Sequence, residues 1–375
     1  MYKLIEFLKM MGNPQDELHA DKHAKYFVRF LKLLPARLSS HDSTRVTIAF
    51  FAVCGLDVLE RLHLLSDDTK KEIIDWVYSY QIVPSESGPK NGGFVGSSTL
   101  NIANSDENCG TNKYKWGHLA MTYTGIAILV TLGDDLSRLN RKAIVEGVAA
   151  VQRPDGSFSA TIEGSEHDMR FVYCAAAICS MIDDWGTVNK KTLAEYIRNS
   201  LRYDYGVSQH LEMESHGGTT YCAIAALCLT NQLNILSYKE IEKIKRWLVF
   251  RQDVQDGGGF NGRPNKRVDT CYSFWIGATL KILGAFDLTD YKENRRYVMS
   301  AQNVTVGGFS KWTGTSADPF HTYFSLCGLS FINEPGLGEI MPSLNISMRA
   351  YNQLKARHKT WQLENSFNET RLNID

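Results

Sequence analysis

The sequence predicts an all-α protein in which about six helical hairpins close into an α/α barrel with an outer and an inner ring of helices. Three observations favour this fold. A unit of about fifty residues recurs, amphipathic helices alternate with helices that are apolar almost all round, and candidate ligand residues begin successive inner helices. An open superhelix of the same hairpins is the alternative closure. We expect a single domain over residues 1–375, with repeats over about 40–332 and a tail, packed on the surface and frayed at its end, over about 333–375.

Composition narrows the class of protein. With 375 residues and 43% hydrophobic residues the chain can build a large core, and its formal net charge of zero argues against bulk nucleic-acid binding. The eight cysteines lie mostly in apolar runs and form no Cys-x-x-Cys pair, which is typical of buried thiols in a reducing compartment. Charge interrupts the first nine residues, and no apolar run reaches membrane-spanning length. We therefore expect a soluble cytoplasmic protein without a signal peptide.

The first predicted helices alternate between amphipathic segments and a segment that is apolar almost all round. Residues of about 16–38 have the pattern of an amphipathic helix that ends near Pro35. Residues 44–59 are apolar almost all round, so we expect a buried inner helix there. Residues 68–80 are amphipathic again and lead into a Gly-rich loop.

The following units share three markers, namely a glutamine at the end of the outer helix, a Gly turn with a phenylalanine, and a tyrosine on the inner helix. The glutamines are Gln81, Gln152, Gln252 and Gln302. The turns are Gly92-Gly93-Phe94, Gly156-Ser157-Phe158, Gly258-Gly259-Phe260 and Gly307-Gly308-Phe309. The tyrosines are Tyr123, Tyr173, Tyr221, Tyr272 and Tyr323. The unit at 203–217 lacks the glutamine and glycine markers. We expect the Gly turns to lie at one rim of the barrel.

A carboxylate, a thiol and an imidazole occupy matching positions of two successive units. Asp269 and Cys271 begin one inner helix, and His321 begins the next, two residues before Tyr323. Three such ligands with an open fourth position are typical of catalytic zinc. A substrate thiol in that position would be deprotonated and become the nucleophile. A helix N-cap with a buried cysteine and a loop histidine remains the alternative.

A basic loop precedes the Asp-x-Cys pair and could hold a phosphate. The anion candidates are Arg263, Lys266, Arg267, His216, Tyr272 and Lys311. His216 stands before two glycines at the start of an inner helix, where free backbone N–H groups favour an anion. The alternative is a solvated basic loop. Zinc, phosphate and an apolar pocket together suggest chemistry on a thiol with a lipid diphosphate.

Aromatic residues recur on the inner helices and are either core or the wall of an apolar pocket. They are Phe50, Phe51, Tyr123, Tyr173, Trp275, Tyr323 and Phe324. Periodicity does not separate the two cases, so both remain open.

Residues 262–275, the His216-Gly217-Gly218 turn, His321 and the repeated Gly-Gly-Phe turns resemble the β subunits of CaaX protein prenyltransferases, and among these the geranylgeranyl type I enzymes. The resemblance runs from about Arg45 to about Ser347. It implies an α/α toroid of prenyltransferase repeats, an α-subunit partner in a heterodimer, and one Zn²⁺. It also implies transfer of geranylgeranyl from geranylgeranyl diphosphate to the cysteine of C-terminal CaaX motifs, X often being Leu, on proteins such as small GTPases.

The resemblance also implies roles for particular residues. Asp269, Cys271 and His321 would bind zinc. His216, Arg263, Lys266 and Tyr272 would hold the diphosphate, with Lys311 beside it in a catalytic role. His118, Glu166 and Arg170 would help to order the carboxylate of the peptide, and its aliphatic pocket would be lined by Thr47, Phe51 and Phe320. Further substrate-binding residues would be Tyr123, Trp275 and Phe324.

Two positions resemble the geranylgeranyl subtype. Lys311 stands where farnesyltransferases have an Asp that helps to bind Mg²⁺, so we expect no Mg²⁺ requirement. Thr47 stands where they have a Trp, and the smaller side chain would deepen the lipid pocket. Residues 253–259 are richer in glycine than expected of type I, and Phe320 stands where a smaller aliphatic residue is expected. These departures concern the peptide preference.

Several alternatives remain at this point. The chain could be the β subunit of a farnesyltransferase or of a Rab geranylgeranyltransferase. A terpene cyclase on a similar barrel is disfavoured because the sequence has no Asp-x-Asp-Asp motif. A non-catalytic helical-repeat scaffold is the alternative from another class, and it would bind no metal.

Overall fold

A computed structural model of the protein describes residues 17–84, 88, 90–100 and 116–372. Within these residues, outer and inner helices alternate as the sequence predicts. The outer helices are α1 (Ala20–Lys32), α3 (Asp67–Tyr78), α5 (Arg141–Ala150), α7 (Lys190–Asn199), α9 (Tyr238–Val249) and α11 (Tyr291–Ser300). The inner helices are α2 (Arg45–Val58), α4 (Leu119–Leu132), α6 (Met169–Met181), α8 (Gly217–Leu229), α10 (Tyr272–Ile282) and α12 (Pro319–Ser330).

Short strands, 3₁₀ helices and one long helix complete these described parts. The antiparallel strand pairs are β1 (Gln81–Ile82) with β2 (Gly93–Phe94), β3 (Phe309–Ser310) with β4 (Ala317–Asp318), and β5 (Ile340–Met341) with β6 (Ile346–Ser347). The 3₁₀ helices are Ala36–Thr44, Leu62–Leu64, Ser98–Leu100, Leu233–Ile235 and Phe286–Leu288. Helix α13 (Met348–Leu372) follows β6 directly.

The inner helices are buried because every face of them is apolar or small. Helix α4, for example, buries all residues from Met121 to Thr131. Small residues let neighbouring inner helices approach closely. A Cβ atom at Gly328 of α12 would lie 2.6 Å from the Cβ atom of Ser273 on α10, so a larger residue would push the two helices apart.

The recurring glutamine joins each marked unit to the next outer helix. The side chain of Gln152 accepts a hydrogen bond from the backbone N–H of Asn189 (2.8 Å) and donates one to its carbonyl (2.9 Å). Asn189 is the N-cap of α7. Gln252 makes the same pair of bonds with Asp290, the N-cap of α11 (2.8 and 2.7 Å). These bonds fix the spacing of the outer ring.

The last glutamine closes the ring. Gln302 accepts a hydrogen bond from the backbone N–H of His19, the N-cap of α1 (2.9 Å), and donates one to the carbonyl of Glu17 (3.0 Å). Helix α1 therefore occupies the place of the outer helix after α11. On the inner ring, α12 packs against α2, with the rings of Tyr323 and Phe50 5.4 Å apart. The closed toroid is confirmed, and the open superhelix is excluded.

The unit without markers satisfies the N-cap residue of the next outer helix in a different way. Leu201 stands at the glutamine position and pairs with Val207. The next outer helix, α9, is instead capped by its own residues, because Ser237 and Glu240 form a capping box, with the Ser237 N–H 2.9 Å from Glu240 Oε2. This helix needs no glutamine from the preceding unit.

Residues 340–347 form the floor of the toroid together with three of the repeated tyrosines. The hydroxyl groups of Tyr123, Tyr221 and Tyr323 donate to the carbonyls of Leu344, Pro342 and Asn345 at 3.0, 2.9 and 2.8 Å. Buried hydroxyls need such acceptors. Leu344 and Ile346 are buried. The expectation of a surface-packed tail is therefore wrong for this segment, because its backbone carbonyls satisfy the tyrosines.

The cysteines bear out the reading of free thiols. The described cysteines are unpaired, and all of them except Cys228 are buried. Cys109 and the first nine residues, on which two expectations rested, lie outside the described residues. None of the described helices has the length and apolarity that crossing a lipid bilayer would require.

Candidate active site

The three predicted metal ligands meet at the rim, the end of the toroid where the inner helices begin. One ligand atom each from Asp269, Cys271 and His321 lie within 4.8 Å of one another, and His321 Nε2 is 3.4 Å from Asp269 Oδ1. Asp269 and Cys271 are buried, and His321 is largely buried. One oxygen, one sulfur and one nitrogen donor in a buried space form a set that suits a zinc ion with an open position.

Local hydrogen bonds hold these ligands in place. Asp269 Oδ1 accepts from the backbone N–H of Cys271 (3.0 Å), and the N–H of Asp269 donates to the carbonyl of Phe260 in the Gly turn (3.0 Å). Asp318 is the N-cap of α12 and lies 2.6 Å from His321 Nδ1. With the Nδ1 proton bonded to Asp318, Nε2 is left to face Asp269 and Cys271.

Asp318 was missed by the sequence reasoning. The sequence does contain a signal for it, namely the pair Asp318-Pro319. An Asp is a typical N-cap residue, and a proline often occupies the first helical position. The N-cap role explains the start of α12. The second oxygen of the same carboxylate orients the histidine.

The electrostatics of the cluster fit a bound cation. Burial raises the pKa of the Cys271 thiol well above its ordinary value. Burial opposes a charge on His321, but its bonds to Asp269 and Asp318 raise its pKa to about 9. Burial likewise opposes a charge on Asp269, but the contact with His321 lowers its pKa. A divalent cation would take the place of the thiol and imidazole protons among these carboxylates.

Lys311 stands beside the cluster. Its Nζ is 3.5 Å from Asp269 Oδ2, the side chain is 44% exposed, and Nζ lies 4.6 Å from the centre of the Trp312 ring. The residue directly follows β3, in the loop that joins it to β4. An exposed ammonium is thus held next to the metal ligands, where an anionic substrate could reach it.

His216 and Tyr272 form a second polar pair at the rim. His216 is the N-cap of α8, and its Nδ1 accepts from the N–H of Gly218 (3.1 Å). Its Nε2 lies 2.9 Å from the Tyr272 hydroxyl. Because Nδ1 accepts and burial lowers the pKa of His216, the neutral ring carries its proton on Nε2 and donates it to Tyr272. The tyrosine hydroxyl proton stays available for a ligand.

The basic loop packs against this pair. A Cβ atom at Gly262 would lie 2.2 Å from the Tyr272 ring, so only glycine permits the approach. Burial raises the pKa of Tyr272, and the nearby Arg263 opposes that shift. Arg263 also forms an ion pair with Glu214. Lys266 and Arg267 are exposed on the same loop, and Arg267 lies over the Trp312 ring at 5.2 Å.

An aromatic wall adjoins the metal ligands. The ring of Phe320 lies 5.0 Å from that of His321 and 5.6 Å from that of Phe51. Trp275 lies 4.4 Å from Phe324 and 6.4 Å from Phe320. Trp275 and Phe320 are only half-buried, which leaves apolar surface beside the cluster. The structure therefore brings four of the predicted pocket residues together.

Two other predicted pocket residues make polar contacts of their own. Tyr123 belongs to the floor through its bond to Leu344. Thr47 lies near the start of α2, is half-buried, and has its hydroxyl 3.5 Å from the sulfur of Met121. Thr47 and Tyr123 both lie on the inner ring.

The predicted carboxylate-binding residues are neighbours but are not all free. His118 caps α4 through a bond from Ala120 N–H to Nδ1 (3.1 Å). Burial lowers the pKa of His118, and the charges of Glu166 and Arg170 act on it from nearby. Arg170, however, is held by the buried Asp168 at 2.6 Å. Sequence reasoning gave Asp168 no role, although its place before α6 is that of an N-cap.

The comparisons with known proteins agree with this geometry. Residues 18–346 match the family model described as the prenyltransferase alpha-alpha toroid domain. The chain therefore belongs to the prenyltransferase α/α toroid family. Within it, the chain is similar to geranylgeranyl transferase type-1 β subunits. It is 39% identical to that of Dictyostelium discoideum, over 89% of this chain and 96% of the relative.

Further matches lie in the same group. The chain is 37% identical to the geranylgeranyl transferase type-1 β subunit of Arabidopsis thaliana, over 91% of this chain and 92% of the relative. Among solved structures it matches Candida albicans protein geranylgeranyltransferase-I complexed with GGPP, with a TM-score of 0.81 and 27% identity. That match covers 91% of this chain and 99% of the other.

Proposed function

We propose that this chain is the catalytic β subunit of a zinc-dependent protein geranylgeranyltransferase type I. It transfers geranylgeranyl from geranylgeranyl diphosphate to the cysteine thiol of C-terminal CaaX motifs, with X often Leu, on proteins such as small GTPases. The observation that carries the proposal is the cluster of Asp269, Cys271 and His321, with Lys311 beside it and an aromatic wall next to it. The likeness to type-1 β subunits supports the same reading.

Asp269, Cys271 and His321 would hold the zinc ion, which when bound lowers the pKa of a coordinated substrate thiol. Asp318 keeps the Nδ1 proton of His321 and so directs Nε2 to the site. Lys311, Arg263 and Lys266, with the hydroxyl of Tyr272, neutralise the diphosphate, where negative charge grows as the bond to the lipid breaks. The aromatic wall excludes water and binds the isoprenoid chain.

The remaining assignments belong to the same proposal. The single domain acts in the cytoplasm as a heterodimer with a prenyltransferase α subunit. Lys311 supplies fixed positive charge, so transfer needs no Mg²⁺. Thr47, Phe51, Tyr123, Trp275, Phe320 and Phe324 line the lipid and peptide pockets. His118, Glu166 and Arg170 order the peptide carboxylate.

The decisive experiment is co-expression with a prenyltransferase α subunit, followed by transfer assays with both isoprenoid diphosphates. Peptides ending in Leu are compared with peptides ending in Ser or Met, at constant zinc, with and without Mg²⁺. We expect preferred use of geranylgeranyl diphosphate with the Leu peptide, independent of Mg²⁺. Preference for farnesyl diphosphate with Mg²⁺ would favour the farnesyltransferase reading. Purified protein without zinc and without transfer would favour a scaffold.

A further inference from the structure

A carboxylate outside the predicted set faces the diphosphate candidates. Glu214 forms an ion pair with Arg263, and the two side chains are 60% and 37% exposed. Its backbone position is fixed, because the neighbouring Ser215 pairs with Ser208 across the turn and its hydroxyl is bonded to Asp204. Glu214 also stands two residues before His216. An acid is thus held at the mouth of a site whose other groups suit an anion.

The Glu214–Arg263 pair can be exchanged for a ligand. Exposed ion pairs stabilise a protein only weakly because water screens them. A diphosphate carries several negative charges and can accept two parallel bonds from one guanidinium, which makes it the stronger partner for Arg263. The ion pair of Lys311 is of a different kind, because its partner Asp269 is buried and belongs to the metal cluster. Glu214, by contrast, is free to swing into solvent.

We propose that Glu214 is a competing counter-ion of the diphosphate site. It pairs with Arg263 when no diphosphate is present, is displaced when the lipid diphosphate binds, and pairs with Arg263 again as the inorganic diphosphate leaves. Glu214 therefore weakens the binding of both diphosphates and speeds product release, without touching the reacting atoms. The inference rests on the proposed function, because it assumes that Arg263 binds the diphosphate.

The test uses the heterodimer and inorganic pyrophosphate as the probe, with its Kd measured by calorimetry. Glu214→Gln should bind pyrophosphate about twofold to fivefold more tightly than the wild type, as expected for the loss of one exposed pair. Glu214→Asp keeps the charge and should stay closer to wild type. The matched control is Glu212→Gln, an exposed glutamate of the same loop, which should leave the Kd unchanged.

A double-mutant cycle locates the effect. With Arg263→Ala, pyrophosphate binding should weaken by about tenfold, and adding Glu214→Gln should then change nothing. The KM for geranylgeranyl diphosphate should fall in Glu214→Gln, while kcat should stay level or decrease if product release limits turnover. A merely structural role would not move KM in this direction.

Three outcomes overturn the inference. The first is equal pyrophosphate affinity in Glu214→Gln and wild type while Arg263→Ala still weakens binding. In that case the inference fails and the proposed function stands. An equal gain in Glu212→Gln would indicate a general charge effect. Unchanged binding in Arg263→Ala would remove Arg263 from the diphosphate site, and only the absence of zinc and of lipid transfer would remove the proposed function.

Discussion

The rim and the floor of the toroid both place polar groups among apolar side chains, but they satisfy those groups differently. At the floor, three tyrosine hydroxyls each donate to a backbone carbonyl of residues 340–347, at 2.8 to 3.0 Å. At the rim, Lys311 lies 3.5 Å from its carboxylate and is 44% exposed, and Arg263 shares an exposed pair with Glu214. Floor groups have permanent internal partners, whereas rim groups keep bonding capacity for a ligand.

Charge and burial alone therefore do not identify a site. Asp57 is a buried carboxylate near the floor, but Arg349 binds it at 2.7 Å and the hydroxyl of Ser347 also donates to it. These bonds tie the end of α2 to the start of α13. Asp269 is buried too, and the groups around it are a thiol and an imidazole that can bind a metal. The chemistry of the partners separates structural from functional acids.

The largest effect is expected from removing a rim ligand. Cys271→Ala and His321→Ala should each lower zinc content and transfer rate by at least about a hundredfold, since even outer-shell changes cost 10–100-fold. The control is Cys327→Ala, a buried thiol near the floor with Sγ 4.0 Å from Asn345 Oδ1, which should keep zinc and activity. Metal analysis and transfer assays measure both. Full zinc in Cys271→Ala would contradict the site.

The next effect concerns the contact through which α1 closes the ring, here called the seam, where His23 meets Gln302 and Gly308. His23 is fully buried, its Nδ1 accepts from the N–H of Gly308 (2.8 Å), and its Nε2 lies 2.7 Å from Gln302 Oε1. Both bonds require the neutral ring, with the proton on Nε2. Burial is the main reason why the pKa of His23 is lowered to about 4, and the nearby His19 and Lys22 add to it.

This shift makes the seam sensitive to acid. The unfolded chain binds the proton near pH 6.5, so the stabilising contribution is complete above that pH and is lost as the pH falls towards 4. The loss reaches up to about 3 kcal/mol. The melting temperature of the wild type should therefore fall more between pH 7.5 and pH 5 than that of His23→Phe, which cannot titrate. Parallel falls would show that His23 is not the titrating group.

The third effect tests whether Thr47 sets the depth of the lipid pocket. Thr47→Trp should block the last isoprene unit of geranylgeranyl diphosphate and shift the kcat/KM ratio towards farnesyl diphosphate by on the order of tenfold or more, since each buried methylene contributes about 0.8 kcal/mol. Ile48→Trp is the control, because Ile48 lines a groove between α1 and α3 on the outer side. A folded Thr47→Trp variant with unchanged preference would show that another residue sets pocket depth.

The sequence predicts the architecture and the metal cluster because both depend on repeated local signals. Cys271 and His321 both lie at the beginning of successive inner helices, and this suffices to place them at one end. The floor could not be predicted, because the local sequence of residues 340–347 contains no signal for its contacts. The backbone carbonyls of this segment accept hydrogen bonds from tyrosines that are far away in sequence. Glu214 could not be predicted either, since a glutamate in a polar loop is ordinarily solvated and its partner lies about fifty residues further along.

The smallest effect separates the two regions most directly, because it makes the same substitution in one tyrosine of each region. Tyr323 is the fifth residue of α12 and bonds Asn345 at the floor, whereas Tyr272 is the first residue of α10 and bonds His216 at the rim. Tyr323→Phe should reduce stability by about 1–2 kcal/mol, because a buried carbonyl loses its donor. Its zinc content and KM should remain those of the wild type.

Tyr272→Phe should give the reverse pattern. Tyr272 is only half-buried, so its loss costs little stability, but the diphosphate loses a donor and its KM should rise by about fivefold to tenfold. Thermal melting and steady-state kinetics on the two heterodimers separate the outcomes. If both variants lose stability equally and neither changes KM, the rim tyrosine is as structural as the floor tyrosine, because its bond to His216 would then be a permanent one.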